Sequence, residues 1–252
     1  MAEERIQKIL ARAGYASRRG AEELILRGRV TVNGLRAQLG EKADAAHDEL
    51  RVDGERVMLP HEFVYYAVYK PRGVLSTTAG PDPRPKITQL VPGGEHLHLV
   101  GRLDKDSEGL ILLTNDGELT QRLSHPRYEQ EKEYRVLVAK RPDQEQLAAW
   151  RRGVVLPEGE RSGPSDVRVE SIKGKGAWLR VIMHEGRKRE IREIARTLSL
   201  PVVSLIRVRI ASLHVRGLKA GQWRKLDAIE VESLKSGKRP SSPKPKKKKR
   251  NY

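Results

Sequence analysis

The sequence lacks several of the features that define secreted, membrane and metal-binding proteins. Its 252 residues include no cysteine and only one phenylalanine. Without cysteine the chain can form no disulfide, no thiolate nucleophile and no cysteine-based metal site. No apolar run approaches the ~20 residues that a membrane-spanning helix needs. The first residues, MAEERIQKIL, carry charge where a secretory signal has an apolar core, so we expect a cytosolic protein without membrane contact.

Basic residues are in large excess over acidic ones. Fifty Lys and Arg residues face 33 Asp and Glu residues, which gives a formal net charge of +17. The segment 233–252 holds nine of the basic residues and no acid, and subtracting them leaves +8 on the rest of the chain. This excess favours a polyanionic partner, with nucleic acid the leading candidate. Because 233–252 is also rich in Pro and Ser, we predict a disordered basic tail there.

The first part of the chain has the pattern of a small helical unit followed by hairpins. Apolar residues at helical spacing predict a helix that ends at Gly14, and Ser17 is the expected N-cap of a second helix. Valines alternate around Asn33-Gly34 and Asp53-Gly54, which is typical of hairpin turns. We therefore predict a separate unit over residues 1–61.

Several basic side chains of this unit are predicted to form one acid-poor face that contacts RNA backbone phosphates. The alternative is an ordinary solvated helix surface. The residues of the predicted RNA-binding face are Arg5, Lys8, Arg12, Arg18, Arg19 and Arg29.

Strand-like runs dominate from residue 62 to residue 232, and helical stretches lie between them without a strict βαβ rhythm. The sequence therefore predicts an α+β domain with a mixed or antiparallel sheet. The predicted strands are FVYYAVYKP, GLILLTN, EYRVLVA, DVRVESI, AWLRVIM, VSLIRVRI and QWRKL, and the predicted helices are ELTQRLS, PDQEQLAAW and KREIREIARTL.

The run GRLDKDSEGLILLTNDGEL at 101–119 places Asp104 in a glycine-bounded turn before an apolar strand. An aspartate in such a turn more often serves the turn itself than catalysis. The run resembles the signature of the RsuA and RluB type of rRNA pseudouridine synthases. KEYRV at 132–136 and EGRKREIREI at 185–194 resemble two further motifs of these enzymes, and YKPRGVLST, LIRVRIASL and GQWRKL agree with them. Residues 1–61 resemble the alpha-L RNA-binding domain named after a small-subunit ribosomal protein.

The resemblance implies an isomerisation in which uracil leaves its sugar through a ring nitrogen and rejoins through a ring carbon, with no cofactor and no metal. It implies that Asp104 acts on the sugar as a nucleophile or as a base, and both routes stay open. Arg192 would hold the Asp104 carboxylate ionised, and Tyr134 would stack on the flipped base. The residues expected to bind substrate are Arg102, Arg187, Lys188, Arg189 and Ile210.

The partner implied is ribosomal RNA, either naked or in an assembly particle, and the lysine-rich tail favours 23S rRNA. A 16S rRNA or tRNA enzyme is the alternative within the class. The rivals of another class are a non-catalytic rRNA-binding assembly factor and a general nucleic-acid binder. Two acids depart from the family pattern, since Glu190 stands where Gln is usual and Glu193 where a basic residue is usual.

Overall fold

The computed structural model describes residues 3–59, 62–78 and 82–237 of the protein. Two compact units divide them. The first contains the described residues up to Val64 together with Asn115–Gly117, and the second contains Tyr65–Thr114 and the described residues from Glu118 onward. The boundary predicted between residues 61 and 62 falls just before the observed division.

The first unit has two helices and short antiparallel hairpins. The Ser17 hydroxyl accepts a 3.1 Å hydrogen bond from the backbone N–H of Gly20, so it caps the second helix as predicted. Asn33 and Asp53 have φ angles of 50° and 51° before their glycines, as the predicted tight turns require. The elements are α1 (Ile6–Arg12), α2 (Arg18–Leu26), β1 (Glu4–Arg5), β2 (Val30–Val32), β3 (Leu35–Arg36), β4 (Lys42–Ala43), β5 (Leu50–Val52) and β6 (Glu55–Arg56).

Nine strands of the second unit's described residues form one sheet. Its strands are β7 (Tyr65–Lys70), β8 (His98–Val100), β9 (Glu108–Thr114), β10 (Lys132–Val138), β11 (Asp166–Lys173), β12 (Gly176–Met183), β13 (Val202–Ile210), β14 (Leu213–His214) and β15 (Trp223–Lys225). The helices that follow the first unit's are α3 (Gly117–Ser124), α4 (Gln144–Arg152), α5 (Glu190–Thr197) and α6 (Ala228–Ser236). The prediction of an α+β fold is confirmed.

The sheet order is β11-β12-β10-β13-β9-β7-β15, with β14 beside β13 and β8 beside β9. All pairs are antiparallel except β13 with β9, where Ile206 lies opposite Glu108. At this parallel contact the two backbones approach closely, because a Cβ on Gly109 would lie 2.2 Å from the carbonyl oxygen of Arg207. Strand β13 therefore joins the two halves of the mixed sheet.

The central strand β9 is buried on both faces, as its unbroken apolar run indicates. The side chains from Leu110 to Leu113 are fully buried. On one face they pack with Leu119 of α3 and Leu234 of α6. This rigid layer supports the turn that precedes β9.

Helix α6 corrects the predicted start of the tail. Residues 233–236 were predicted as disordered but are helical, because Asp227 and Glu230 cap the helix reciprocally and Gly237 ends it with φ 69°. Leu234, only 2% exposed, anchors the helix in the core. Residues 238–252 of the predicted tail lie outside the described residues.

Candidate active site

A tightly held turn positions Asp104 immediately before β9. The Ser76 hydroxyl accepts a hydrogen bond from the Leu103 N–H at 3.1 Å and donates one to the Leu103 carbonyl at 2.8 Å. The Asp104 carbonyl accepts a 3.0 Å bond from the Ser107 N–H. The backbone on both sides of Asp104 is thereby fixed.

Lys70, at the end of β7, binds the same turn through its side-chain ammonium. Its side chain is fully buried, and its ammonium donates to the carbonyl oxygens of Ser107 at 2.8 Å, Pro71 at 3.0 Å and Lys105 at 3.3 Å. Burial lowers the pKa of Lys70 to about 8, although the nearby carboxylates of Glu108 and Asp104 oppose the shift. Because it binds three carbonyls, Lys70 organises the turn.

The Asp104 carboxylate lines a cavity of about 940 Å³ and lies between two arginines of the α5 region. Its Oδ2 is 3.7 Å from Arg189 Nη1 and 3.9 Å from Arg192 Nε. These are ion-pair distances, longer than direct hydrogen bonds. The carboxylate is 29% exposed, so it is open to a molecule in the cavity while two arginines lie beside it.

Arg192 is bound to the turn that carries Asp104. Its Nη2 donates to the Asp106 carbonyl at 3.3 Å and to Ser107 Oγ at 3.4 Å. Burial lowers the pKa of Arg192, and Arg189 adds to that shift while Asp104 opposes it. The side chain is only 15% exposed, whereas that of Arg189 is 45% exposed. Arg192 is thus the more rigidly placed partner of Asp104.

Tyr134, on β10, lines the same cavity. It lies opposite Val181 of β12 and Arg207 of β13, and it is 8% exposed. Arg207 is fully buried, and burial lowers its pKa although the neighbouring Tyr134 hydroxyl raises it. Its Nε donates to the Leu110 carbonyl at 2.8 Å and its Nη1 to the Arg102 carbonyl at 3.3 Å. Arg207 therefore connects Tyr134 to the segment before Asp104.

Two protein-family models match the sequence of the chain. The family model described as RNA pseudouridylate synthase matches residues 64–197, and the S4 domain model matches residues 4–50. The chain belongs to the RNA pseudouridylate synthase family. The predicted resemblance is confirmed, and the protein is an RNA pseudouridine synthase with an RNA-binding S4 domain.

Full-length relatives and a solved structure agree with the family. Ribosomal large subunit pseudouridine synthase B of Bacillus subtilis is 39% identical over 92% of this chain and 96% of its own length. An uncharacterised RNA pseudouridine synthase of Mycobacterium tuberculosis is 40% identical, covering 91% of this chain and 92% of the relative. A crystal structure of a pseudouridylate synthase superposes with a TM-score of 0.66 and 28% identity, over 91% of this chain and 99% of that one.

The predicted substrate-binding cations of the synthase line the cavity with Asp104. They are Arg102, Arg187, Lys188 and Arg189. Arg187 also pairs with Glu160 at 2.5 Å and Glu185 at 3.4 Å, so part of its charge is neutralised within the protein.

Ile210 is a correction to the predicted site. It is fully buried in the apolar core with Leu213 and does not line the cavity. A register shift between β10 and β13 places it opposite Lys132, and Leu205 contributes the aliphatic wall from β13 instead. Neither Leu205 nor Arg207 was predicted from the sequence. The alternation of side chains along β13 could have indicated both, because its period of two puts them on one buried face.

The S4 domain of the synthase does not present the uniform basic face that was predicted. Glu4 pairs with Lys8 at 3.5 Å and with Arg12 at 2.5 Å, and Asp53 binds Arg29 through two hydrogen bonds. Glu4 was overlooked although it lies only two residues before α1, and Asp53 reaches Arg29 through the β5–β6 turn. The predicted RNA-binding residues that remain exposed, without an ion pair among the described residues, are Arg5, Arg18 and Arg19.

The described part of the chain contains neither a candidate membrane span nor a candidate metal site. No helix there is both long and apolar enough to cross a membrane. No group of three or more His, Asp or Glu side chains there is arranged to hold a metal ion.

Proposed function

We propose that this synthase isomerises a uridine of large-subunit ribosomal RNA, with 23S rRNA as its substrate. The supporting observation is the position of Asp104, a partly exposed carboxylate between Arg189 and Arg192 on a cavity that Tyr134 also lines. The relatives from Bacillus subtilis and Salmonella typhimurium, both named ribosomal large subunit pseudouridine synthase B, support the choice of RNA.

The proposed chemistry begins when a uridine leaves its stack and enters the cavity. The face of Tyr134 replaces the lost base stacking, which is worth about 1–3 kcal/mol per base. Asp104 then acts on the sugar as a nucleophile or as a base, and Arg192, 3.9 Å away, directs its carboxylate. The uracil detaches through its ring nitrogen, turns, and reattaches through a ring carbon, so the reaction consumes no redox equivalent.

The exposed cations bind the RNA around the target. Arg102, Lys188 and Arg189 contact phosphates at the cavity, while Arg187 contributes less because two glutamates already pair with it. Arg5, Arg18 and Arg19 of the S4 domain add backbone contacts that position the RNA without reading its sequence. The structure of the substrate then decides which uridine reaches Asp104.

Tritium release from unmodified transcripts tests the proposal. The synthase is incubated with 23S rRNA, 16S rRNA and tRNA transcripts that carry tritium on the uracil ring carbon to be attached. We expect release from 23S rRNA and none with the Asp104→Asn variant. Release only from 16S rRNA or tRNA would show that this RNA, and not 23S rRNA, is the substrate. Release from none of the three would favour a non-catalytic assembly factor.

A further inference from the structure

Two glutamates meet in the wall of the cavity that holds Asp104. Glu185 follows β12 and Glu190 begins α5, and both line the cavity. Glu190 is only 3% exposed. The two carboxyl groups are close enough for each to shift the pKa of the other. Two ionised carboxylates cannot form a hydrogen bond, because neither has a donor.

The surroundings of Glu185 favour its ionised form. Its Oε1 accepts a 2.5 Å hydrogen bond from the Gly163 N–H, and its Oε2 lies 3.4 Å from Arg187 Nε. Burial raises the pKa of Glu185, but the hydrogen bonds from Glu190 and Gly163, together with Arg187, hold it below the ordinary value. The approach depends on glycine, because a Cβ at position 163 would lie 2.5 Å from Glu185 Oε1.

The surroundings of Glu190 favour its neutral form. Its Oε2 accepts a 3.0 Å bond from the Arg187 N–H. Its Oε1 is buried and has no hydrogen-bond partner among the described residues. A proton on Oε1 would therefore find its acceptor in the neighbouring Glu185 carboxylate. Burial and the contact with Glu185 raise the pKa of Glu190 to about 7, although Arg187 opposes the shift.

One cation faces Glu190 from the sheet. Lys132 of β10 attracts the ionised form of Glu190, but burial and Arg207 lower the pKa of this lysine. Lys132 donates to the Gln130 carbonyl at 3.4 Å, and it forms no ion pair with Glu190 within the described residues. Lys132 therefore does not neutralise the buried Glu190 carboxyl group through an ion pair, and Glu185 is the neighbouring carboxyl group that shifts its pKa.

We propose that Glu190 is a positioning residue, a neutral carboxylic acid that donates a hydrogen bond to Glu185 and so fixes the loop carrying Arg187, Lys188 and Arg189 at the cavity. Loss of the proton places two carboxylates in contact, and their repulsion opens the loop and withdraws its cations from the RNA. No bond other than that to the proton changes. The kinetic consequence rests on the proposed function, whereas the protonation state does not.

The kinetic test compares wild type with Glu190→Gln, whose amide copies the neutral acid. KM and kcat for the unmodified 23S rRNA transcript are measured at pH 6, 7 and 8. In wild type we expect KM to rise about tenfold between pH 6 and pH 8, because a group with a pKa near 7 loses its proton over that range. In Glu190→Gln, KM should stay near the wild-type value at pH 6, and kcat should be similar in both proteins.

The matched control is Glu193→Gln, which removes a partly exposed carboxylate from the same helix; in wild type this carboxylate pairs with Arg196. Its pH profile should follow that of wild type. All three proteins retain Lys70, so its titration cancels from the comparison. Equal slopes of KM against pH in wild type and Glu190→Gln would overturn the proposal.

Infrared difference spectroscopy tests the proton directly, without RNA. The spectrum of wild type minus Glu190→Gln at pH 6 should contain the carbonyl band of a protonated carboxylic acid, and the band should disappear by pH 8.5. If the band is absent, Glu190 is ionised and the proposal fails. If the band is present but KM does not depend on pH, the proton exists without holding the loop, and the positioning role is overturned. Absence of turnover in every protein at every pH would instead count against the proposed function.

Discussion

The buried ammonium of Lys70 donates a 2.8 Å hydrogen bond to the carbonyl oxygen of Ser107, at the far end of the turn that begins with Asp104. The same ammonium binds the carbonyls of Pro71 and Lys105. A lysine that forms no ion pair with any described carboxylate thus organises the backbone next to the proposed catalytic group. Its role is to fix a position, and its contribution should appear in turnover rather than in RNA affinity.

Replacing Lys70 with methionine should lower kcat with little change in KM. The variant keeps the length of the side chain but removes the ammonium that binds the carbonyls of Pro71, Lys105 and Ser107. A displacement of the turn by about 1 Å is sufficient to lower kcat about 100-fold. Single-turnover tritium release at saturating RNA measures this effect. The control is Lys175→Met, on an exposed turn, which should behave as wild type; a larger effect on KM than on kcat would contradict the positioning role.

The stability of the protein should rise with pH where Lys70 titrates. Burial lowers the pKa of this group to about 8, while a lysine in the unfolded chain titrates near ~10.4. Between the two values the unfolded chain binds more protons, so the free energy of unfolding increases with pH. Relative to Lys70→Met, wild type should gain up to about 3 kcal/mol from pH 7.5 to pH 10.5. Urea unfolding at both pH values measures the gain, and a difference between the proteins that is independent of pH would refute the assignment.

The two arginines beside Asp104 should differ in their kinetic roles. Arg192 is largely buried and bound to the turn, so Arg192→Gln should lower kcat about 100-fold, as expected for a lost preorganised charge. Arg189 is more exposed, and Arg189→Gln should raise KM by up to about fivefold with little effect on kcat. Presteady-state measurements separate the two effects.

Arg196→Gln provides the control for these variants, since Arg196 lies one turn further along α5 and pairs with Glu193. It should leave both kinetic constants unchanged. If Arg189→Gln lowered kcat more than Arg192→Gln, the two roles would have to be exchanged.

Tyr134 should contribute mainly through its ring. Tyr134→Phe keeps the stacking face, so kcat/KM should fall only slightly, whereas Tyr134→Ala should lower it about 10- to 100-fold. Because the hydroxyl neighbours the buried Arg207, the Phe variant should lose about 1–3 kcal/mol of stability. Kinetics and urea unfolding of both variants separate the two contributions. Equal activity losses in the Phe and Ala variants would show that the hydroxyl, not the ring, carries the function.

The S4 domain should bind RNA through its unpaired arginines. Replacing Arg18 and Arg19 together with glutamine should reduce the slope of log Kd against log salt by about 1.4 to 1.8, the value for two lost phosphate contacts. Arg29→Gln should change the slope less, because Asp53 already neutralises Arg29. Binding measured from 50 to 300 mM salt gives the slopes. An equal reduction in both variants would show that the ion pair with Asp53 opens on RNA.

The fold was predictable where the local sequence pattern carries the signal. The apolar run of β9, the Ser17 cap and the hairpin turns at Asn33 and Asp53 all formed as expected, because periodicity and turn chemistry act over a few residues. Helix α6 was missed because the tail was predicted from its charge and its Pro and Ser content. Composition does not contain the capping signals at Asp227 and Gly237.

The site was less predictable, because its contacts join distant segments. The residues that resemble the family motifs come together around Asp104, since Tyr134 lines the same cavity and Arg192 lies 3.9 Å from the Asp104 carboxylate. Ile210 was assigned to the pocket wall from the family resemblance, whereas the structure places it opposite Lys132 and packs it in the apolar core. The ion pair of Arg29 with Asp53 was not predicted, because it joins residues 24 positions apart in the sequence.

The place of β13 in the sheet determines when the site can form. On one side it pairs with β10, which carries Tyr134, and on the other with β9, which follows Asp104. Strand β13 therefore has to pair with both strands before these two side chains can line one cavity. It lies nearly a hundred residues after Asp104 in the chain. Closing a loop of that length slows folding, so the cavity belongs to the late stages of folding. A polypeptide that ended before residue 202 would contain Asp104, Tyr134 and Arg192 and have no strand to bring them together.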